Sequence, residues 1–151
     1  KEEHSDLIMI SEDDIKFTKN GLENINKVIS RENFKQKNID KEKPILIRLA
    51  KAYRIEHHDG VYEPYLGKEI FMSNPCFLIN RLFAKIFLEN LNKIDTTSDI
   101  YIHYRLPYYN KVIQDYTVMP VPIYELSTSR LRKFSSEIKY KGNKLRKDSN
   151  E

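Results

Sequence analysis

Glu12, Asp13 and Asp14 stand at the end of a short apolar run, Asp6-Leu-Ile-Met-Ile10, and its Ser11. Three adjacent carboxylates repel one another, and a divalent cation removes that cost. Hard oxygen donors of this kind suit Mg²⁺ or Mn²⁺ bridging a diphosphate. In open α/β sheets, ligands bind in the crevice outside the carboxyl ends of the strands, where such a loop would sit. A plainer reading stands beside it: Ser11 or Asp13 caps the next helix, and the acids favour its positive end. The other reactive side chains say less. Cys76 lies in Cys76-Phe-Leu-Ile79 with no histidine nearby, the setting of a packed thiol and not of a nucleophile. His57 and His58 are adjacent, so their side chains diverge, and Asp59-Gly60 explains them as part of a turn.

Elements that would position these residues follow from the pattern of apolar positions. The run before the acidic triplet predicts a buried strand, whose neighbours must come from later sequence or from upstream. Leu22, Ile25, Val28 and Ile29 follow helical spacing across residues 20–30, whereas residues 31–43 show no apolar period and read as a loop. Ile45, Ile47 and Leu49 alternate in a second strand behind Pro44. A third strand is predicted over 67–72 and a fourth at Cys76–Ile79. A helix follows, with Asn80 as its N-cap and Phe83, Ile86, Phe87 and Leu91 as its apolar face. Residues 99–104 fit either type. Residues 116–124 are extended, because Pro120 and Pro122 forbid a helix and favour an edge strand. Strands and helices alternate without an internal repeat, which predicts a single α/β domain.

The chain has 151 residues and a formal net charge of +4, which invites a nucleic-acid reading. The charge is not spread evenly. Residues 1–129 carry 18 basic and 19 acidic side chains, residues 130–147 carry 8 basic ones against Glu137 alone, and the last four residues add two acids. A neutral body therefore carries a cationic tail. Lys, Ile, Asn and Tyr are abundant and share A/T-rich codons, so bulk counts of basic or aromatic residues carry little. The longest apolar stretches hold only a few residues, far short of the roughly 20 a membrane-spanning helix needs. One cysteine excludes an internal disulfide framework and a cysteine-based zinc site. The polar start, Lys1-Glu-Glu-His4, is no signal peptide, so a reducing cytoplasmic setting is expected. A start without Met suggests a processed product or a segment of a longer chain.

An apolar strand ending in Glu-Asp-Asp also opens the receiver domains of response regulators. Those need a phosphoacceptor Asp closing a strand some 40 residues later. Here the corresponding stretch, Ala52-Tyr-Arg-Ile-Glu-His-His-Asp59, has no apolar strand leading into its Asp. The order of later motifs points elsewhere. A strand carries the turn Ser73-Asn-Pro-Cys-Phe-Leu-Ile-Asn-Arg81 into a helix, an Asp follows in Thr97-Ser-Asp99, and a proline-containing strand runs through Tyr116-Thr-Val-Met-Pro-Val-Pro-Ile-Tyr-Glu125. A Ser-acid-Ile element, Ser136-Glu-Ile138, comes last. Taken with the acidic triplet, residues 6–138 resemble the later part of bacterial family 25 glycosyltransferases, which build lipooligosaccharide and capsule.

That resemblance implies a GT-A-like mixed sheet with flanking helices, a nucleotide-sugar donor, a glycan or lipid-linked glycan acceptor, and Mn²⁺ or Mg²⁺. It also implies a nucleotide-binding segment ahead of the acidic motif, so residues 1–138 are expected to be a partial catalytic domain, with 139–151 a basic polar tail. On this reading Glu12 and Asp13 contact the donor's ribose and nucleotide side, and Asp14 binds the metal that neutralises the departing diphosphate. Asp99 is the candidate general base, with a helix N-cap or first-turn acid as the alternative. His103 shares a face with Asp99 on a helix or on a strand, and adds a metal contact or serves as a structural residue. Asn74 is the candidate acceptor-binding residue, and Asn80 suits a cap. Tyr101, Tyr104, Tyr108 and Tyr109 suit stacking on a sugar, although core packing is the expected account. The cationic tail reads as a solvated helix or as a peripheral contact to an anionic inner-membrane face, and no nucleic-acid partner is expected. The alternative function is a non-catalytic module whose tail engages nucleic acid or anionic membrane.

Overall fold

Three strands run parallel and deliver their carboxyl ends to one edge of the molecule. The computed structural model describes residues 7–51, 63–68 and 75–125. Its strands are β1 (Ile8–Ser11), β2 (Ile15–Phe17), β3 (Ile45–Arg48), β4 (Ala50–Lys51), β5 (Tyr65–Gly67), β6 (Cys76–Ile79), β7 (Gln114–Met119) and β8 (Ile123–Glu125). The main sheet has the order β1-β6-β3-β7-β5. β6 is antiparallel to both β1 and β3, and β3 is parallel to β7, so β1, β3 and β7 share one direction. The fold is mixed α/β, with helices on both faces of this sheet.

A second sheet, β2-β8-β4, continues the first. β1 leads into β2 through the acidic loop, β3 into β4 through Leu49, and β7 into β8 through Pro120 and Pro122. The order changes on the way, because β8 inserts between β2 and β4. Its backbone anchors are Ile123 N–H donating to Leu49 O at 3.2 Å and Thr18 N–H donating to Pro122 O at 2.9 Å. The two prolines thus fall between strands, where no ladder hydrogen bond is lost, and neither β7 nor β8 is the edge strand expected from them.

Helices α1 (Gly21–Val28) and α2 (Arg31–Gln36) cover one face of the main sheet. Ile25, Val28 and Phe34 pack there with Ile45, Ile47, Leu49, Leu78 and Val118. Residues 31–43, expected as a loop, contain α2 because the Ser30 hydroxyl accepts from Asn33 N–H and Phe34 is buried. One apolar residue is too few for a period. The helix ends where Asn38 takes φ 51°, a left-handed conformation that asparagine tolerates.

The opposite face holds α3 (Arg81–Glu89), a 3₁₀ turn (Leu91–Lys93), and an unbroken helical stretch. That stretch comprises α4 (Ser98–Ile100), a π-helical turn (Tyr101–Arg105) and α5 (Leu106–Tyr109). Phe83, Tyr101, Leu106 and Ile113 close over Leu46, Phe77 and Ile79. Asn80 caps α3 as expected, accepting from Phe83 N–H at 3.0 Å. The same oxygen accepts from Ile45 N–H at 3.0 Å, and the amide donates to Lys43 O at 2.8 Å. β3 is buried at every position, the mark of a central strand covered on both sides. β1 is a strand, but not the buried one expected: Ile8, Met9 and Ile10 are 54%, 48% and 41% exposed, since among the described residues β1 is the sheet's edge with β6 as its one neighbour. Of the strand expected at 67–72, Gly67 falls in β5, which covers Tyr65–Gly67, Lys68 follows that strand, and 69–72 lie outside the described residues.

Candidate acidic site

Glu12, Asp14 and Glu125 come together at the carboxyl end of β1. Ligand oxygens of the three lie within 4.8 Å of one another. Glu12 follows the last residue of β1, and its N–H donates to Pro75 O at 2.9 Å, which ties the loop to the start of β6. Asp14 precedes β2. Glu125 arrives from the far end of the chain because β2 and β8 pair antiparallel with Ile15 opposite Glu125. Glu12 is exposed, and Asp14 and Glu125 are half-buried.

The electrostatics follow from this crowding. The Glu12 carboxyl is pushed above its ordinary pKa, first by burial and then by the charges of Glu125, Asp14, Asp13 and Asp99. Asp99, the weakest of these contributors, sits in the first turn of α4 with Thr97 as the N-cap residue, the first-turn acid of the alternative reading. Asp13 is exposed beside the cluster and is not one of its three members.

His103 is placed differently from an exposed metal contact. It is fully buried under the helical stretch, with its ring edge-on to Phe77 at 5.1 Å between centroids. Burial first, then the nearby Arg48 charge, lower its pKa to about 3, while Asp99 opposes the shift, so the imidazole is neutral at physiological pH. It is not one of the three clustered carboxylates. Its backbone has a structural role that the sequence explains. Pro107 has no N–H to offer the His103 carbonyl in the α pattern, and the helix widens to a π turn just before it. Arg48 Nη2 donates to that oxygen at 2.6 Å, and Arg48 Nη1 donates to Asp115 Oδ2 at 3.1 Å. Arg48 is 1% exposed. Burial lowers its pKa and Asp115 opposes that, so the ion pair keeps a buried guanidinium charged.

Sequence reasoning missed both Arg48–Asp115 and Glu125. Arg48 interrupts an otherwise apolar strand, a signal that pointed to a buried charge with a partner. For Glu125 there was no local signal. Cys76 is the packed thiol expected: it is 1% exposed and burial pushes its pKa up to about 11. Of the four tyrosines, Tyr101 packs in the core, whereas Tyr104, Tyr108 and Tyr109 are 48%, 55% and 72% exposed, which corrects the packing account for these three. Asn74, His57, His58 and the cationic tail lie outside the described residues. Among the described residues no helix is long and apolar enough to cross a membrane. No protein-family model matches the chain, and no curated protein matches it.

Proposed function

We propose that the chain is the metal-binding part of a glycosyltransferase of GT-A type, moving a sugar from a nucleotide-sugar donor to a cell-surface glycan. The observation that carries this reading is the convergence of Glu12, Asp14 and Glu125 at the carboxyl end of β1, where β8 returns beside β2. The donor set suits the group: all are carboxylate oxygens, the choice of Mg²⁺ and Mn²⁺, and Glu12, its pKa raised first by burial and then by its acidic neighbours, has part of that cost relieved by a cation. A bound Mn²⁺ or Mg²⁺ would supply charge neutralisation for the departing diphosphate.

The residues of the chain then divide the work. Glu12, Asp14 and Glu125 hold the cation. Asp13, exposed at the loop's tip, accepts hydrogen bonds from the donor's ribose hydroxyls. Asp99, whose charge is felt at Glu12, takes the proton of the acceptor hydroxyl as it attacks the anomeric carbon.

The test is a Mn²⁺ titration of the whole chain followed by water-proton relaxation, repeated with UDP. Binding of Mn²⁺ to the parent, about tenfold or more weaker in Asp14→Ala and in Glu125→Gln, is the expected result. UDP binding that strengthens with Mn²⁺ extends it to the donor. No Mn²⁺ binding, or binding that Glu125→Gln leaves unchanged, overturns the proposal.

A further inference from the structure

A cavity of about 250 Å³ lies beside the buried Arg48–Asp115 pair. It is lined by His103, Tyr104, Pro107, Tyr108, Lys111, Ile113 and Asp115. This is below the roughly 300–1,000 Å³ typical of pockets for drug-sized ligands, so it suits a compact ligand. Tyr104 and Tyr108 in the lining lie nearly parallel, 16° apart, with ring centroids 6.0 Å from each other, and Tyr109, outside the lining, stands edge-on to Tyr108. All three rings are well exposed, which costs free energy in water and offers flat apolar surface to a partner. Asp115 is also part of the lining. Its Oδ2 is held by Arg48, and no hydrogen bond to its Oδ1 exists among the described residues. The Asp115 side chain is 23% exposed, so an acceptor held in place by Arg48 meets the solvent at the cavity wall. Lys111, 4.2 Å above the Tyr108 ring, adds a donor.

From this arrangement we infer that the cavity binds a neutral pyranose of a glycan. A pyranose has an apolar C–H face, which meets the electron-rich face of a tyrosine, and a rim of hydroxyls that both donate and accept. Its hydroxyls donate to Asp115 and accept from Lys111. The Asp115 charge is met by Arg48, so what the cavity offers a ligand is a hydrogen-bond acceptor beside the Lys111 donor.

The cavity also has a defined place relative to Asp99. His103 and Pro107 are four and eight residues beyond it on one helical stretch, about 6 and 12 Å along the axis. A short oligosaccharide spans that distance. The sugar held here is therefore a recognition unit of the acceptor, one position removed from the hydroxyl that reacts. This assignment to the acceptor rests on the glycosyltransferase reading, whereas sugar binding itself does not.

The experiment uses the whole chain, ¹⁵N-labelled, without metal or nucleotide. The probes are the methyl glycosides of β-glucose, β-galactose and N-acetylglucosamine, then lactose, at millimolar concentration. At least one should shift amide resonances across residues 103–115. Tyr108→Ala and Tyr104→Ala, exposed positions that leave the fold intact, should each weaken that probe roughly tenfold. No shift with any glycoside overturns the inference, as does binding that survives Tyr108→Ala. A stronger response to methyl glucuronide or to UMP than to every neutral sugar also overturns it. The Mn²⁺ titration reads the acidic cluster independently, so failure of one leaves the other standing.

Discussion

Charges in this protein are handled in two opposite ways a short distance apart. Under the helical stretch, Arg48 is buried almost completely yet has Asp115 and the His103 carbonyl as partners. At the end of β1, Glu12, Asp14 and Glu125 bring carboxylate oxygens within 4.8 Å of one another. The first arrangement is what folding selects: a charge taken from water is tolerable only when paired and hydrogen-bonded. The second works against folding, because every added carboxylate raises the cost of the next. The difference teaches where to look for function. The buried pair should matter for stability, and the cluster should matter for binding at the expense of stability.

The largest effect should come from breaking the pair on its acidic side. Asp115→Ala leaves the guanidinium buried and should cost about 3–5 kcal/mol in chemical denaturation. Arg48→Met should cost less, since it removes the buried charge and leaves an Asp115 that water can reach. Equal losses would mean that the pair is not the reason for Arg48.

Gly21→Ala comes next. Alanine for glycine ordinarily favours a helix. Here, however, a Cβ would lie 2.3 Å from the Pro122 carbonyl oxygen, which Thr18 N–H already uses. The expected loss is about 1–3 kcal/mol. Because Pro122 leads into β8, Mn²⁺ binding through Glu125 should weaken as well.

The third prediction concerns His103. Its folded pKa lies below the ordinary value, so the unfolded chain takes up the proton first. Stability is therefore lost as pH falls below about 6.5 toward 3, by about 1.4 kcal/mol per pH unit. His103→Gln should flatten that part of the pH–stability curve. An unchanged slope would show that the imidazole is not held neutral.

Smallest, and of opposite sign, is Glu12→Gln. A raised carboxyl pKa means that ionised Glu12 opposes folding above its ordinary pKa of 4.5 and is neutral in effect below it. The variant should be more stable at pH 7, by less than about 1 kcal/mol given the exposure of the site, and no more stable at pH 3. Saturating Mn²⁺ should reverse the ranking, since it stabilises the parent by binding the folded state alone. A destabilised Glu12→Gln would erase the contrast between the two regions.

Much of the frame was legible in the chain. The periods at Leu22–Ile29 and Ile45–Leu49, and the Asn80 cap, predicted α1, β3 and the start of α3. The unpaired thiol of Cys76 followed from its apolar neighbours. The failures have identifiable causes. α2 depends on a cap and one buried phenylalanine, too little to make a period. β1 carries an apolar pattern suited to two covered faces but occupies an edge, and a pattern states what a strand can bury, not what covers it. Tyr104, Tyr108 and Tyr109 look like core residues by type, yet they point outward because Leu106 and Tyr101 take the inner face of their helix.

The sequence by itself determined α1, β3, β6 and the start of α3, where the charges gather along the chain, and that an acidic loop closes the first strand. Pro107 and the lone Arg48 already contained half of the buried link. Only the tertiary structure decided that Glu125 joins Glu12 and Asp14. The reason is that β8 crosses between β2 and β4, so residues more than a hundred positions apart become neighbours. Local propensities act over a few residues, whereas a metal-binding or sugar-binding arrangement is made from whichever strand ends the topology brings together.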